Sequence, residues 1–201
     1  MKTAVTGGIG SGKSHVCRLL REQGIEIYDC DSAAKRLMRT SQEIKCKLKS
    51  LVGDDVYCGD GINKPVLTRF LLAGEDNKRA VNAIVHPAVA RDFEKSGMEW
   101  MECAILFESG FDHLVDRIVC ITAPRQLRIE RIMRRDGITR EKAEQWIDCQ
   151  MPQEEMARRS HVVINNDGSP LPPQLAVLQV ASDTSAEKVT KENRVYNVSC
   201  G

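Results

Sequence analysis

Residues 7–14 read Gly7-Gly8-Ile9-Gly10-Ser11-Gly12-Lys13-Ser14, a glycine-rich run closed by a lysine and a hydroxyl. The spacing fits G-x-x-x-x-G-K-[ST], whose chemistry is the cradling of a polyphosphate. Glycines reach backbone angles closed to other residues, so successive N–H groups can turn together onto one anion. Lys13 adds a full positive charge for the β- and γ-phosphates, and the Ser14 hydroxyl is a ligand for Mg²⁺. The bland alternative is a glycine-rich turn with Lys13 merely solvated. The flanks argue against it: Thr3-Ala4-Val5-Thr6 is a short apolar strand, and Val16, Leu19 and Leu20 have the i, i+3, i+4 spacing of a helix face. A helix that starts at such a loop points its positive end at the same anion. The expected ligand is a nucleoside triphosphate.

Three further groups of residues have the chemistry to act on it. Asp29 and Asp31 follow a second short strand, Ile25–Tyr28. Strand, helix, strand with a connection of helix length implies parallel strands and a right-handed crossover, and ligands of such sheets sit at the strands' carboxyl ends. Both carboxylates therefore fall on the edge that holds the glycine loop. A helix cap plus a solvated carboxylate explains them about equally well. Glu108 ends the apolar run Cys103–Phe107 and is a candidate for the metal's surroundings, or a solvated strand end. His86 is read first as a structural histidine, since no partner is visible in sequence. Six arginines, Arg125, Arg128, Arg131, Arg134, Arg135 and Arg140, fall within 16 residues. They are a solvated face, a nucleic-acid patch or a phosphate clamp; a planar guanidinium suits the last through bidentate contacts.

The elements that must position these groups follow from the hydrophobic pattern. Cys103–Phe107 and Arg117–Ala123 are continuous apolar runs, as in parallel strands covered on both faces. His161–Asn165 is a fifth strand. Ser32 is a plausible cap for a helix over Ala33–Met38. Gln42–Val52 is a polar helix, 53–63 a turn-rich hairpin loop, and Pro65 opens another helix. A helix over Lys78–Val85 is expected to break at His86-Pro87 and resume over Ala88–Lys95. From Pro124 an arginine-rich helix carries Ile129, Ile132 and Met133 as its apolar stripe, and Thr139 caps the next, which runs to Gln150. A last helix is expected over Pro170–Ala181, and the tail after Ser182 is expected to be weakly ordered.

Composition bounds the rest. With 201 residues the chain has room for one well-buried core. A net charge of +1 and 4% aromatics give no field or stacking surface for nucleic acid. No apolar run reaches the roughly 18 residues of a bilayer span, and the first strand leaves no room for a signal peptide. Eight scattered cysteines without a C-x-x-C pair read as reduced thiols. The expected setting is the cytoplasm, without nucleic acid or membrane as partner.

The order of these motifs resembles the dephospho-coenzyme A kinase family from Thr6 to Gly168. The resemblance is carried by Thr6–Ser14, Asp29-x-Asp31, Asn82-Ala83-Ile84-Val85-His86-Pro87 and Leu106-Phe107-Glu108. It continues through Arg134-Arg135-Asp136, Ile138-Thr139-Arg140-Glu141, Gln150 and Val163-Ile164-x-Asn166-x-Gly168. It implies a three-layer α/β/α P-loop kinase fold, one domain over 1–201 with a five-stranded parallel sheet. It also implies a helical substrate-binding insertion over 32–98 and a lid over 134–150. The implied reaction moves the γ-phosphate of ATP, with Mg²⁺, to the ribose 3′-hydroxyl of dephospho-CoA, and a monomer is the favoured state. Asp31, Lys13 and Arg140 are the implied catalytic residues. Gly8, Ile9, Gly10, Ser11, Gly12, Lys13, Ser14 and His15 form the nucleotide loop, with Ser14 on the metal. The chain departs from the family pattern at His15, where threonine is usual, at Lys64 for arginine, and at Ala104 for proline.

Overall fold

The computed structural model describes residues 1–59, 61–169 and 194–196. They divide into two compact units, one formed by 1–27 with 98–201 and the other by 28–97.

In the first unit, Thr3–Thr6 (β1) is buried at every position, as a central parallel strand must be. The glycine loop follows, then Lys13–Glu22 (α1), which buries Val16, Cys17 and Leu20. Gly24 ends the helix, its N–H donating to Arg21 O at 3.0 Å. The next strand is Ile27–Asp29 (β2).

The second unit starts at Tyr28 because that side chain is tied down within it. Tyr28 Oη donates to Asp92 Oδ2 at 2.7 Å, and its ring centroid lies 5.2 Å from that of Phe93. The helix Cys30–Thr40 (α2) is capped by Asp29, whose carboxylate accepts from Ser32 N and Ser32 Oγ, each at 3.0 Å. The expected cap is Ser32. The aspartate wins because its two oxygens accept from backbone and side chain at once. Gln42–Val52 (α3) falls where expected, capped by Ser41. Tyr57–Cys58 (β3) and Gly61–Ile62 (β4) form a short antiparallel hairpin. Lys64–Leu72 (α4), with Pro65 in its first turn, leads to Glu75–Ser96 (α5).

Helix α5 runs through Pro87, against the expected break. An interior proline costs about 3 kcal/mol. Val81, Val85, Val89 and Phe93 are all buried, a stripe with a step of four that passes straight across the proline. At roughly 1.5–3 kcal/mol for each buried side chain, continuing the stripe outweighs one lost hydrogen bond. The helix packs on α2, α3 and α4.

Back in the first unit, Trp100–Glu102 (β5) is the next strand. It stops well short of the apolar run assigned to it: residues 104–110 form turns, although Leu106 and Phe107 are buried. Arg117–Thr122 (β6) leads into Arg125–Asp136 (α6), Arg140–Asp148 (α7) and Gln153–Arg158 (α8). Val162–Asn165 (β7) follows. The helix expected over 170–181 lies outside the described residues, as does most of the tail. Within that tail, Arg194–Tyr196 (β8) adds a sixth strand to the five expected.

The sheet order is β2-β5-β1-β6-β7-β8, and β1 pairs in parallel with β5 and β6, β6 with β7, and β7 with β8. Val5, Val119, Ile121, Val162 and Ile164 pack with Val16, Cys17 and Leu20 of α1 to make the core. A smaller cluster joins α6 to α7 through Ile129, Ile132, Ala143 and Ile147, with Ile9 of the glycine loop against it.

Candidate active site

The loop between β1 and α1 takes its shape from glycine. Gly12 has φ +94° and is the N-cap of α1, a left-handed conformation that costs an L side chain energy. A Cβ there would stand 2.0 Å from Asn166 Nδ2, and one on Gly7 would stand 2.2 Å from Ile121 O. The backbone is thus pressed against neighbouring strand ends. No side chain caps α1, which leaves its N-terminal end open to an anion. Ser11 Oγ is buried without a hydrogen-bond partner among the described residues. An unpaired buried hydroxyl is costly, and a phosphate oxygen would satisfy it.

Lys13 and Ser14 begin α1. Burial lowers the Lys13 pKa, Glu102 opposes that shift, and the neighbouring Arg135 adds to it. A polyanion here would offset the burial that disfavours the ammonium. Ser14 Oγ donates to Glu102 Oε1 at 2.8 Å, and Arg21 Nη2 lies 3.9 Å from Glu102 Oε2. The Glu102 side chain is only 12% exposed. Parallel register explains its place: Glu102 pairs with Val5, two residues before the loop's first glycine. Burial, then the charge of Glu102, drives the Cys17 thiol far up, so it stays protonated. A serine hydroxyl beside a carboxylate is a hard oxygen donor set, which fits Mg²⁺.

Glu102 is the residue that sequence reasoning missed. Reading the strand through Phe107 moved the carboxyl edge to Glu108, but Glu108 is exposed in the turns beyond β5 and its Oε1 accepts from Met151 N at 3.3 Å. Cys103–Phe107 is a continuous apolar run without a period-2 pattern, so register alone separates the two glutamates.

The outer side of the loop is held by side chains from the far end of the chain. Gln150 Oε1 accepts from Ile9 N at 2.7 Å. Arg131 Nη1 reaches Gly10 O and Ser11 O at 3.3 and 3.4 Å, and Asn166 Nδ2 donates to Ser11 O at 2.8 Å. Arg128 is buried beside them. Arg125, Arg128, Asp148, Gln150, Gln153 and Asn165 also line a cavity of about 470 Å³.

The remaining expected site residues are placed as follows. The His15 ring is exposed and bonds Arg18 Nη2 at 3.0 Å; its amide donates to Gly12 O. Arg140 opens α7 behind its cap Thr139, and its guanidinium donates to Glu144 Oε1 at 2.9 Å and Gln126 Oε1 at 2.8 Å. The arginine whose charge is felt at Lys13 is Arg135. Asp31 belongs to the second unit, in the first turn of α2, where the helix dipole favours a carboxylate. It is exposed and paired with Lys35 one turn on. His86 is half-buried in α5, and burial lowers its pKa.

The family model described as dephospho-CoA kinase matches residues 1–171. The chain belongs to the dephospho-CoA kinase family. It is 41% identical over 186 residues to the dephospho-CoA kinase of Bacteroides fragilis, covering 89% of this chain and 91% of that one. The Porphyromonas gingivalis dephospho-CoA kinase is 36% identical over 197 residues, covering 94% and 95%. A solved structure from Thermus thermophilus, TT1252, matches with a TM-score of 0.78 at 32% identity, covering 92% of this chain and 98% of its own. In this dephospho-CoA kinase family member the glycine loop, Lys13, Ser14 and Glu102 form one cluster at the carboxyl edge of a parallel sheet, within a single unit.

Proposed function

We propose that the chain carries out its family's reaction with the glycine loop as donor site and Asp31 as the acceptor-side base. It is an ATP-dependent kinase of the dephospho-CoA kinase family: the γ-phosphoryl group of ATP passes to the ribose 3′-hydroxyl of dephospho-CoA, giving CoA and ADP. The observation that carries the reading is the cluster of Lys13, Ser14 and Glu102 at an uncapped helix start behind left-handed glycine.

In this reading residues 8–15 wrap the triphosphate, and Lys13 balances charge on the transferring group. Ser14, with Glu102 beside it, would hold Mg²⁺, which when bound neutralises charge on the β- and γ-phosphates. Asp31 accepts the hydrogen bond of the ribose hydroxyl, aims it at the γ-phosphorus and takes its proton as the new bond forms. The Lys35 partner has to yield for that, which is cheap for an exposed pair. Residues 32–98 hold the CoA moiety and 134–150 close over the nucleotide. The protein acts as a monomer in the cytoplasm, without nucleic acid or membrane. The balanced charge and scattered thiols support that setting, and no helix of the described residues is long and apolar enough to cross a membrane.

The deciding experiment is ADP release with dephospho-CoA as acceptor, set against adenosine monophosphate and against water. Release that depends on dephospho-CoA is expected; equal release with adenosine monophosphate would overturn the acceptor assignment. The lid gives a second expectation. Arg140→Ala should raise the KM for ATP or lower turnover about tenfold more than Arg125→Ala, one lost charge-assisted contact being worth about 1.5–3 kcal/mol. Both guanidinium groups are paired, Arg125 on Asp148 and Arg140 on Glu144 and Gln126, and only Arg140 lies in the segment expected to close over the nucleotide. Equal small effects would make Arg140 a solvated surface residue.

A further inference from the structure

Among the described residues Arg128 is the only buried lysine or arginine, at 5% exposure. A buried charge is expensive unless paired, and burial followed by the charge of Arg125 lowers the Arg128 pKa. Its direct hydrogen bond, however, is not to a carboxylate. Nε donates to Ile9 O, in the glycine loop, at 2.9 Å. The fold accepts the burial cost to hold a loop carbonyl.

We infer that Arg128 is a positioning residue for the donor site, which fixes the outer face of the loop so that the Gly10 N–H turns inward. The reason is peptide geometry. Across a planar trans peptide the C=O of one residue and the N–H of the next point in opposite directions. Pulling Ile9 O outward onto Arg128 therefore aims Gly10 N–H at the other side of the loop, where phosphate lies in the proposed reading. Gln150 and Arg128 together tie both polar groups of Ile9, its N–H and its C=O. Arg131 and Asn166 do the same for the next carbonyls.

Arg128 also accounts for glycine at position 8. The backbone there avoids the left-handed region, so conformation alone would admit a side chain. Space does not: a Cβ on Gly8 would lie 2.4 Å from Arg128 Nη2 and 2.9 Å from Cζ. A free arginine tip would swing aside at little cost, but this one is packed and anchored through Nε. Gly10 seats against the same residue, its would-be Cβ 2.7 Å from Arg128 O. Of two glycines in a phosphate-binding motif, Gly8 thus answers to the Arg128 guanidinium and Gly10 to the backbone of the same residue. The inference rests on the loop being the ATP site.

Calorimetric binding of ATP and of dephospho-CoA separates the outcomes. Arg128→Ala should weaken ATP binding roughly tenfold or more, the scale of a lost charge-assisted hydrogen bond, and leave dephospho-CoA binding unchanged. Arg128→Gln, which keeps a stem and a donor, should fall between the two and serves if the alanine variant does not fold. Gly8→Ala should weaken ATP binding in the native background and add little in the Arg128→Ala background. Unchanged ATP affinity in a folded Arg128 variant, equal losses for both ligands, or strictly additive effects with Gly8→Ala would overturn the inference. Failure of the unaltered protein to bind ATP would overturn the donor-site reading instead.

Discussion

Lys13→Ala should lower turnover by at least about 10²- to 10³-fold, the scale of removing one preorganised charge-stabilising group from a transferring centre. Phosphoryl transfer leaves the protein little covalent work, so charge balance and alignment make up most of the catalysis. Lys13 sits at the first residue of α1, in the cluster with Ser14 and Glu102. Its ammonium is held there against a desolvation cost that its neighbours only partly offset, which favours function over stability as the reason for the residue. Thermal unfolding of the variant should therefore occur no lower than in the unaltered protein, because burial disfavours the removed cation by more than Glu102 offsets. Steady-state ADP release beside a melting curve makes the test. An unaltered rate, or a rate lost in step with folded protein, would remove Lys13 from the site.

For Asp31→Asn the expected loss is about 10² to 10⁴ in the transfer step, the usual worth of general-base assistance. Asparagine preserves shape and most hydrogen bonding but cannot take the hydroxyl proton. The structure makes this substitution unusually clean. Asp31 is exposed and does not cap α2; that is the work of Asp29. Its pair with Lys35 is an exposed i,i+4 contact with both side chains more than two-thirds exposed, 70% and 76%, and such pairs contribute little to stability. A large drop in rate could not then be assigned to unfolding. ATP affinity should be equal or slightly higher, since a negative charge has been removed. Single-turnover transfer to dephospho-CoA measured beside ATP calorimetry decides: a retained rate, or ATP affinity lost in proportion to rate, would show that Asp31 is not the base.

The residues differ in how far they could be read without coordinates. Gln42–Val52 falls on the expected residues because its cap, Ser41, and its closing glycine, Gly53, are its immediate neighbours. Pro87 misled for the converse reason. Its local preference is to end a helix, and only the stripe from Val81 to Phe93, buried against α2 and α3, overrides it. Ser32 misled more mildly: it does belong to the cap, but as the donor to Asp29.

The end of the glycine loop was legible from sequence, because the left-handed Gly12, the start of α1 and the charge of Lys13 are immediate neighbours. The parallel α/β class was legible too, since unbroken apolar runs alternate with amphipathic ones. Tertiary structure decided everything that depends on pairing between distant segments. The register of β5 on β1 sets Glu102, and not Glu108, against Ser14. The rotation of α6 buries Arg128, places Arg131 on the loop and leaves Arg125 outside, though all three look alike in sequence. Neither choice has a local signal. Strand register and helix rotation follow from which buried surfaces fit together, and that is a property of segments about a hundred residues apart.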